Sequence, residues 1–383
     1  MLKDMGPSIR IYNLAKGLAS QGHEIHVIIP KDKVTREYVD GVVVHGLKGF
    51  YPKVIRKIFC RLVGVSRSTS LFFYDLLFIS RVSRIIRESD VVQIEQQSAG
   101  GLLIPIITGI LKKPLVVDCH DTFQALRVKH TSTVRKILET FLEKIAYKYA
   151  DLILTVSEGE KELLISYGIK KGNIEVIPNG VDTEAFNPLS DVTRVQDSYG
   201  LMNFYTVIFV GNMGYLPNQE AVQLIASEIA PRVRKLIDNT KFLIVGRTTT
   251  KMELPNVTFT GVVKNVTEFL AASDIAIAPL LHGSGTRLKI LEYFSCGLPV
   301  VSTTVGVEGL DIKSGVHALI EDDMNEFAVK VIKLLKNKAL STRLGKTARK
   351  LVINKYDWKK IARQLNMVYH NLLFGINKSE IMR

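Results

Sequence analysis

A turn and the helix that follows it contain the residues best suited to chemistry. The turn spans residues 283–287 and includes Gly285 and Thr286, whose backbone N–H groups would lie unpaired at a helix N-terminus, where phosphate binds. Lys289 and Glu292 follow three residues apart, on one helix face. A nucleotide diphosphate-sugar needs these groups together: the amides and Lys289 for the diphosphate, and Glu292 for the ribose hydroxyls.

The same spacing has a structural explanation. A βαβ unit needs a turn at this place, and a solvated Lys–Glu pair is common on a helix surface. Spacing alone leaves both interpretations open. Arg287 precedes Lys289 by two residues, roughly 200° around a helix, so both cations reach one diphosphate only if Arg287 still belongs to the turn.

Alternating strands and helices must position these residues. In the first half of the chain, apolar strands are predicted at residues 24–29, 42–45, 91–95, 115–118, 152–156 and 174–177. In the second half, they are predicted at residues 206–210, 242–245, 257–260, 275–278, 300–302 and 318–320. Strands that alternate with helices indicate an α/β fold with parallel sheets, in which ligands bind at the carboxyl ends of the strands.

The length of the chain indicates two domains. At 383 residues it exceeds what one hydrophobic core normally serves. The polar, irregular stretch 187–204 is the predicted linker between an N-terminal domain, residues 1–186, and a C-terminal domain, residues 205–356. A last helix is predicted within residues 357–374.

Composition argues against several classes of protein. Hydrophobic residues make up 46% of the chain and charged residues 23%, as in globular rather than disordered proteins. The cysteines Cys60, Cys119 and Cys296 are far apart and odd in number, which argues against a disulfide framework and for a reducing compartment. No cysteine pair has zinc-ligand spacing. With no signal peptide and no bilayer-spanning stretch, we expect a cytoplasmic protein.

A basic segment contributes to the net charge of +14. Residues 41–74 contain six cations and no acid, and apolar residues interleave with them over a predicted amphipathic helix at 52–65. Such a helix suits an anionic membrane, here the inner face of the plasma membrane, with these surface residues: Lys53, Arg56, Lys57 and Arg61. A solvated helix that packs on its own domain is the alternative. Nucleic acid is not an expected partner, because no zinc finger, aromatic RNA platform or helix-turn-helix is present.

The chain resembles glycosyltransferase family 4 over nearly its whole length. The turn, Glu292 and the run 297–302 are similar to the family's donor-binding signature. Further matches occur in family order at Gly6-Pro7-Ser8, Asp118-Cys119-His120-Asp121, 177–182, 209–211 and 215–218. The resemblance implies the GT-B fold, in which the parallel sheets of two Rossmann-like domains face a central cleft and the last helix, here 357–374, crosses back onto the N-terminal domain.

The resemblance also implies roles for particular residues. His120 and Asp121, at a strand end, would be catalytic, and His120 would face the transferred sugar. Donor contacts would come from Gly6, Ser284, Gly285, Thr286, Arg287, Lys289 and Glu292. Weaker expectations are the nucleobase-side residues Phe259, Thr260 and Val262 and the acceptor-side residues Glu95 and Gln96.

The sequence departs from the family pattern in its charges. Ser284 stands eight residues before Glu292, where the family has its first motif glutamate, so a hydroxyl replaces the carboxylate that meets the transferred sugar. Asn212-Met213 and Asn218 stand where an Arg and a Lys normally follow the strand, so Arg287 and Lys289 are expected to substitute. No Asp-x-Asp motif is present, and we expect neither a metal nor another cofactor.

The start of the chain is a second departure. In this fold the Gly6 loop follows a central strand, yet only five residues precede Gly6. Loss of a central strand should be severe, because its ladder bonds lie on both sides. We therefore expect a start codon assigned too late or a truncation, with the first N-terminal strand missing.

The expected activity is metal-independent, retaining transfer of a hexosyl group from a nucleotide-diphosphate sugar. The expected acceptor is a saccharide, such as a lipid-linked saccharide or a cell-surface polysaccharide precursor. Two alternatives stay open: a catalytically impaired GT-B protein that binds nucleotide-sugar or a partner, and a nucleotide-sugar epimerase. A dehydrogenase is not indicated, because no Gly-x-Gly-x-x-Gly follows any predicted strand.

Overall fold

The chain divides into two compact units. The first comprises residues 1–178 and 361–383, and the second comprises residues 179–360. The predicted linker, 187–204, lies inside the second unit and contains a helix whose Val195 packs in its core. The computed structural model describes residues 6–31, 33–48, 76–95, 103–120, 133–188, 192–248, 254, 257–283 and 285–375.

The first unit is built around strands and helices that alternate along most of its length. In chain order its elements are α1 (Gly6–Ala19), β1 (Ile25–Lys31), β2 (Thr35–Val39), β3 (Val42–Lys48), α2 (Leu76–Glu88), β4 (Val92–Glu95), α3 (Leu103–Leu111), β5 (Leu115–Cys119), α4 (Thr133–Tyr149), β6 (Leu152–Thr155), α5 (Glu158–Ser166) and β7 (Ile174–Val176). No strand precedes α1 within the described residues.

The strands of the first unit form two separate sheets. One has the order β1–β3–β2 and the other β4–β5–β6–β7, which is parallel throughout. Every residue of β5 is buried, as expected for a parallel strand covered on both faces. In the described part of the chain, no strand joins the two sheets.

The sequence interpretation missed strand β2. It pairs antiparallel with β3 through a turn at Asp40 and Gly41, which have positive φ values of 49° and 84°. An Asp-Gly pair between strands is a strong hairpin signal. The strand was missed because three of its five residues are exposed and polar residues dominate it.

The second unit continues the alternation. Its elements are α6 (Thr193–Tyr199), β8 (Tyr205–Val210), α7 (Leu216–Leu224), α8 (Ala230–Leu236), β9 (Thr240–Val245), β10 (Thr258–Gly261), α9 (Val266–Ala271), β11 (Ile275–Ala278), α10 (Leu288–Ser295), β12 (Val300–Ser302), β13 (Leu319–Ile320), α11 (Met324–Lys336) and α12 (Lys338–Leu351). A π-helical segment, Ile225–Ile229, joins α7 to α8, and a second, Val352–Tyr356, follows α12.

The sheet of the second unit determines where a ligand can bind. It is parallel, with the strand order β10–β9–β8–β11–β12–β13. From β8 the chain adds strands in one direction, and from β11 it adds them in the other. In open α/β sheets, ligands bind outside the carboxyl ends of the strands where the order reverses. The loops after β8 and β11 flank that point.

Close backbone contact fixes the carboxyl ends of β8 and β9. Gly246, which follows β9, has a φ of +137°, and a Cβ atom there would lie 1.9 Å from the carbonyl oxygen of Gly211. Only glycine fits such a position without strain. The backbone N–H of Gly211 in turn donates to the carbonyl of Val245 at 2.9 Å. The loop after β8 is therefore held against the neighbouring strand.

The last helix, α13 (Trp358–Phe374), begins in the second unit and continues in the first from Ile361. In the first unit, Gln364 Nε2 donates to the carbonyl of Val176 at 3.0 Å, and Asn366 Nδ2 donates to Gln21 Oε1 at 3.0 Å. These bonds fix the helix to the end of β7 and to the turn after α1. Among the residues described, no helix is both long and apolar enough to cross a bilayer.

Candidate functional site

The turn after β11 leaves the N-terminus of α10 without a capping side chain. Arg287 occupies the N-cap position with φ −82° and ψ 90°, and its side chain makes no cap bond. Gly283 and Gly285 have φ values of +140° and +72°, so glycine suits both positions. Within the described residues the N–H of Ile290 donates to the carbonyl of Arg287, and those of Leu288 and Lys289 can bind an anion, at the point where the strand order reverses.

Arg287 lies beneath this turn rather than extending from it. Its side chain is 8% exposed, and its Nη1 donates to the carbonyl of Gly285. A Cβ atom on Gly283 would lie 2.9 Å from Arg287 Nη2, so the turn is packed directly on the guanidinium. The carboxylate of Glu308 lies 3.8 Å from the same nitrogen. The position of Arg287 indicates that it holds the turn in shape.

Lys289 reaches the first turn of α7, the helix that follows the loop after β8. Its Nζ donates to Asn218 Oδ1 at 2.8 Å and lies 4.1 Å from the ring centroid of Phe209. Burial lowers the pKa of Lys289 to about 7, Glu292 opposes that shift, and Arg287 adds to it. Asn218, in turn, donates through Nδ2 to the carbonyl of Asn212 at 2.9 Å. Protonated Lys289 therefore lies beside Asn218 and Asn212, the two neutral residues at positions where the family pattern has cations.

Glu292 is a half-buried carboxylate without a hydrogen bond to its side chain among the described residues. Burial raises the pKa of Glu292 to about 7, against the opposing effect of Lys289. The hydroxyl of Thr286 is also buried and lacks a partner within that same part of the chain. Polar groups left unpaired in an interior are costly unless a ligand completes them. Both groups are therefore candidates for contacts with a ligand.

The predicted nucleobase residues lie at the edge of the sheet. Phe259 and Thr260 belong to β10, the outermost strand, and β9 separates them from β8. Phe259 packs against the hydrophobic core, Thr260 Oγ1 donates to the carbonyl of Gly261 at 3.0 Å, and Val262 is 72% exposed. Val262 is the most exposed of the three, and Phe259 is partly buried against the core, so its contact with a nucleobase stays a prediction.

A buried ion pair lies at the carboxyl end of the parallel sheet in the first unit. Arg10 of α1 donates through Nε to Asp118 Oδ2 at 2.9 Å and through Nη2 to Oδ1 at 3.0 Å. Arg10 Nη1 also donates to the carbonyl of Pro178 at 2.9 Å. The two side chains are 1% and 0% exposed. A bidentate pair of this kind fixes α1 to β5.

His120 lies beside this ion pair and contacts Glu95. His120 Nε2 makes a hydrogen bond to Glu95 Oε2, and the two side chains are 13% and 20% exposed. Burial by itself would lower the pKa of His120, but the negative charge of Asp118 and the bond to Glu95 outweigh it, so the pKa is raised. Glu95 was predicted on the acceptor side, and the structure places it against the predicted catalytic histidine.

Glu95, Asp118 and His120 also have the composition of a metal site. One ligand atom from each lies within 4.8 Å of the others. Both oxygens of Asp118 already accept hydrogen bonds from Arg10, so a divalent ion would have to displace a buried guanidinium. The donor set therefore fits a network of paired charges better than a metal centre.

Several predicted residues lie outside the described part of the chain. Gly6 is not one of these, because it is described as the first residue of α1. The predicted residues outside the described part are Gln96, Asp121, Ser284, Lys53, Arg56, Lys57 and Arg61, together with the predicted amphipathic helix 52–65.

Sequence reasoning missed two residues of these sites. Arg10 was overlooked because an arginine on a helix is usually solvated, yet it lies four residues before Leu14 on the buried face of α1. Asn218 was noted only as a missing cation, whereas it accepts the hydrogen bond of Lys289. The sequence did contain a signal for Arg10, because it has the helical spacing of the apolar residues on the buried face of α1. No local feature of the sequence indicated the contact of Asn218 with Lys289.

Two family models match the chain. The model for Glycosyltransferase Family 4 matches residues 6–185, and the model for Glycosyl transferases group 1 matches residues 205–337. Together they span both units, in the order that the motifs predicted.

Known proteins and structures give the same result. The chain is 24% identical over 383 residues to N-acetyl-alpha-D-glucosaminyl L-malate synthase of Bacillus anthracis, and the alignment covers 94% of this chain and 92% of that protein. It is 26% identical over 381 residues to UDP-Gal:alpha-D-GlcNAc-diphosphoundecaprenol alpha-1,3-galactosyltransferase of Escherichia coli, with 94% and 92% covered. The structure of Anabaena HepE in complex with UDP matches with a TM-score of 0.72 at 16% identity, over 96% of both chains.

These matches confirm the family and the fold that the ordered motifs predicted. The parallel sheets of the two units agree with the Rossmann-like domains of that fold. The chain belongs to glycosyltransferase family 4 and is a glycosyltransferase with the GT-B fold.

Proposed function

We propose that the protein is a retaining hexosyltransferase that uses a nucleotide-diphosphate sugar as donor. The observation behind the proposal is the group of unpartnered polar atoms at the N-terminus of α10. A bound nucleotide diphosphate would accept hydrogen bonds from the free amides, from Thr286 Oγ1 and from Lys289. The ribose hydroxyls would donate to Glu292, which has no other partner in the described residues.

The proposed reaction exchanges one bond at the sugar's anomeric carbon for another. The acceptor hydroxyl attacks on the face from which the diphosphate departs, the sugar–phosphate bond breaks, and the bond to the acceptor oxygen forms. The departing diphosphate gains negative charge, which protonated Lys289 and the amides of α10 would stabilise. The same diphosphate would take the acceptor's proton. In this scheme His120 contacts the transferred sugar, and no metal takes part.

The names of related proteins support this choice of substrates. The Escherichia coli relative is named for UDP-Gal and for an acceptor linked to diphosphoundecaprenol, and the Anabaena structure contains UDP. By analogy, we propose a nucleoside diphosphate-sugar donor and a saccharide or lipid-linked saccharide acceptor. A lipid-linked acceptor would agree with binding of the predicted basic helix, 52–65, to the cytoplasmic face of an anionic membrane.

Turnover assays of the full-length chain test the proposal. The chain would be incubated with UDP- and GDP-sugars, with and without lipid-linked saccharide acceptors, in the presence of EDTA. We expect acceptor-dependent release of the nucleoside diphosphate and a product of retained anomeric configuration. Inversion would contradict the retaining mechanism, and loss of activity with EDTA, restored by a divalent ion, would contradict metal independence.

Two other outcomes would replace the proposal by another function. The catalytically impaired alternative is motivated by Ser284, Asn212 and Asn218, and it predicts binding of nucleotide-sugar without diphosphate release for any acceptor. The epimerase alternative predicts that the donor sugar is isomerised or released when no acceptor is present.

The pH dependence of donor binding provides a separate prediction. Lys289 must be protonated and Glu292 ionised for the proposed contacts, and each has a pKa of about 7 in the ligand-free protein. Because the two groups interact, the affinity should show a maximum near pH 7 and fall on either side by up to about tenfold per pH unit. Calorimetric titration with a nucleotide-sugar from pH 5.5 to 8.5 measures this profile.

Matched variants separate the two limbs of the profile. Lys289→Arg keeps the cation at all these pH values and should remove the alkaline limb, and Glu292→Gln should remove the acidic limb. A flat profile in the wild type would show that the donor does not bind through this pair.

A further inference from the structure

Among the described residues, the charges around His120 balance only if its imidazole is protonated. Arg10 neutralises Asp118 through two hydrogen bonds. Glu95 is a second carboxylate in the same half-buried cluster, and its described partners are His120 at Oε2 and Gln93, which donates to Oε1 at 3.2 Å. Gln93 is neutral. A neutral imidazole would leave one carboxylate charge uncompensated, which is costly away from water.

The orientation of Gln93 follows from its other contacts. Its Oε1 accepts a hydrogen bond from the hydroxyl of Tyr369, which lies on α13. Its Nε2 donates to Glu95 Oε1 and to Asp118 Oδ2, both at 3.2 Å. If the amide were flipped, its oxygen would face two carboxylates and no hydrogen bond could form, because neither group has a proton to donate. The network therefore admits one orientation of the Gln93 amide. Gln93 and Tyr369 thereby hold Glu95 in place behind His120.

We propose that Glu95 is a positioning residue that holds His120 as an imidazolium through Nε2 and directs its Nδ1–H toward the sugar substrate. In the described residues Nδ1 has no hydrogen-bond partner. The inference rests on the proposed function for its catalytic consequence. Since an imidazolium has no lone pair to accept a proton, His120 donates a hydrogen bond to a sugar oxygen and is not the base for the acceptor hydroxyl.

The surrounding groups agree with this state of His120. Burial and the cation of Arg10 disfavour the imidazolium, whereas Asp118 and Glu95 favour it and prevail, so the pKa is raised above its usual value. Tyr369 is deeply buried, with its pKa raised by burial, and stays neutral. A raised histidine pKa means that the protonated form is present below that pKa and is lost as pH rises through it. Activity should therefore fall on the alkaline side of the His120 pKa.

Replacement of Glu95 by glutamine tests the inference. Glu95→Gln keeps the size of the side chain but removes its charge, so the His120 pKa should fall by about 1–3 units. NMR titration of the imidazole signals measures that pKa in the ligand-free, full-length chain. In turnover assays in a Lys289→Arg background, which lacks the alkaline limb of donor binding, the alkaline limb of kcat/KM that reports His120 should move to lower pH by the same amount. The affinity for donor in the second unit should change less than twofold.

A second Glu–His pair in the first unit provides the control. Glu24 Oε1 and His26 Nε2 lie 2.9 Å apart, and Glu24 is 80% exposed. Glu24→Gln removes an ion pair of the same chemistry without moving the His120 titration or the pH profile.

The NMR readout separates this inference from the proposed function. An unchanged His120 pKa in Glu95→Gln would overturn the role of Glu95, whether or not the chain turns over. A lowered His120 pKa in a chain inactive with every donor would support the positioning contact and contradict the proposed transfer. If the pKa falls but the alkaline limb stays in place, His120 is not the group that the substrate needs protonated, and the inference fails at that step.

Discussion

Replacement of Glu292 by glutamine is expected to abolish most donor binding while leaving the ligand-free protein at least as stable as the wild type. The carboxylate is half-buried and unpaired in the described residues, and its pKa is raised to about 7. A raised carboxyl pKa means that the folded state binds more protons than the unfolded state between pH 4.5 and 7, so ionisation of Glu292 opposes folding at higher pH. Removing the charge relieves that cost.

The loss of binding should be large because the ribose would lose a charged acceptor. Hydrogen bonds to charged groups contribute about 1.5–3 kcal/mol, so the affinity for nucleotide-sugar should fall roughly 10- to 150-fold. In a thermal or urea unfolding assay, ligand at a hundredfold excess over its dissociation constant adds about 2.7 kcal/mol to the wild type. At the same ligand concentration, the Glu292→Gln chain should lose about half to nine-tenths of that increment.

Glu228→Gln provides the matched control for Glu292→Gln. Glu228 is a partly exposed carboxylate of the same unit, 3.7 Å from Arg232, and its replacement should change neither donor binding nor stability measurably. If Glu292→Gln bound the donor like the wild type, the donor site at α10 would be wrong. If it unfolded the ligand-free protein, Glu292 would be a structural residue.

Replacement of Arg10 by alanine should give the largest loss of stability, about 3–5 kcal/mol for the first unit. The change leaves the fully buried carboxylate of Asp118 without its cation and removes a donor to the carbonyl of Pro178. Urea unfolding of the intact chain measures the loss. Hydrogen exchange at the amides of β5 locates it, because β5 contains Asp118.

Two further variants distinguish an unpaired charge from a simple loss of packing. Arg10→Lys keeps the charge but not the bidentate geometry, so it should recover only part of the stability. The double change Arg10→Met with Asp118→Leu replaces both charges by apolar groups and should recover more than half of it. Equal losses in Arg10→Ala and in the double variant would show that packing, not the charge on Asp118, explains the effect.

Local patterns in the sequence were sufficient for much of the fold. The alternation of apolar strands with helices predicted the α/β class, because strands buried on both faces must be continuously apolar, as β5 is. The turn at residues 283–287 and the position of Lys289 and Glu292 on the following helix were also predictable, since glycine and helical spacing are local properties. The hairpin strand β2 was missed because its residues are mostly exposed and polar.

Long-range contacts were not predictable in the same way. Lys289 reaches Asn218, Arg10 reaches Asp118, and Tyr369 reaches Gln93 across 71, 108 and 276 residues of sequence. No spacing rule connects residues so far apart, because which loops meet depends on strand order. The strand order places β8 next to β11, although β9 and β10 come between them in the chain.

The sequence by itself determined the family and the α/β class, and it predicted which residues would bind a phosphate, because all three depend on residue type and short-range geometry. The tertiary structure decided how those residues are used. It places Arg287 beneath the turn, leaves Glu292 without a hydrogen-bond partner among the described residues and pairs His120 with Glu95. Burial and the neighbours of a charged group control its ionisation, and both are properties of the folded chain alone.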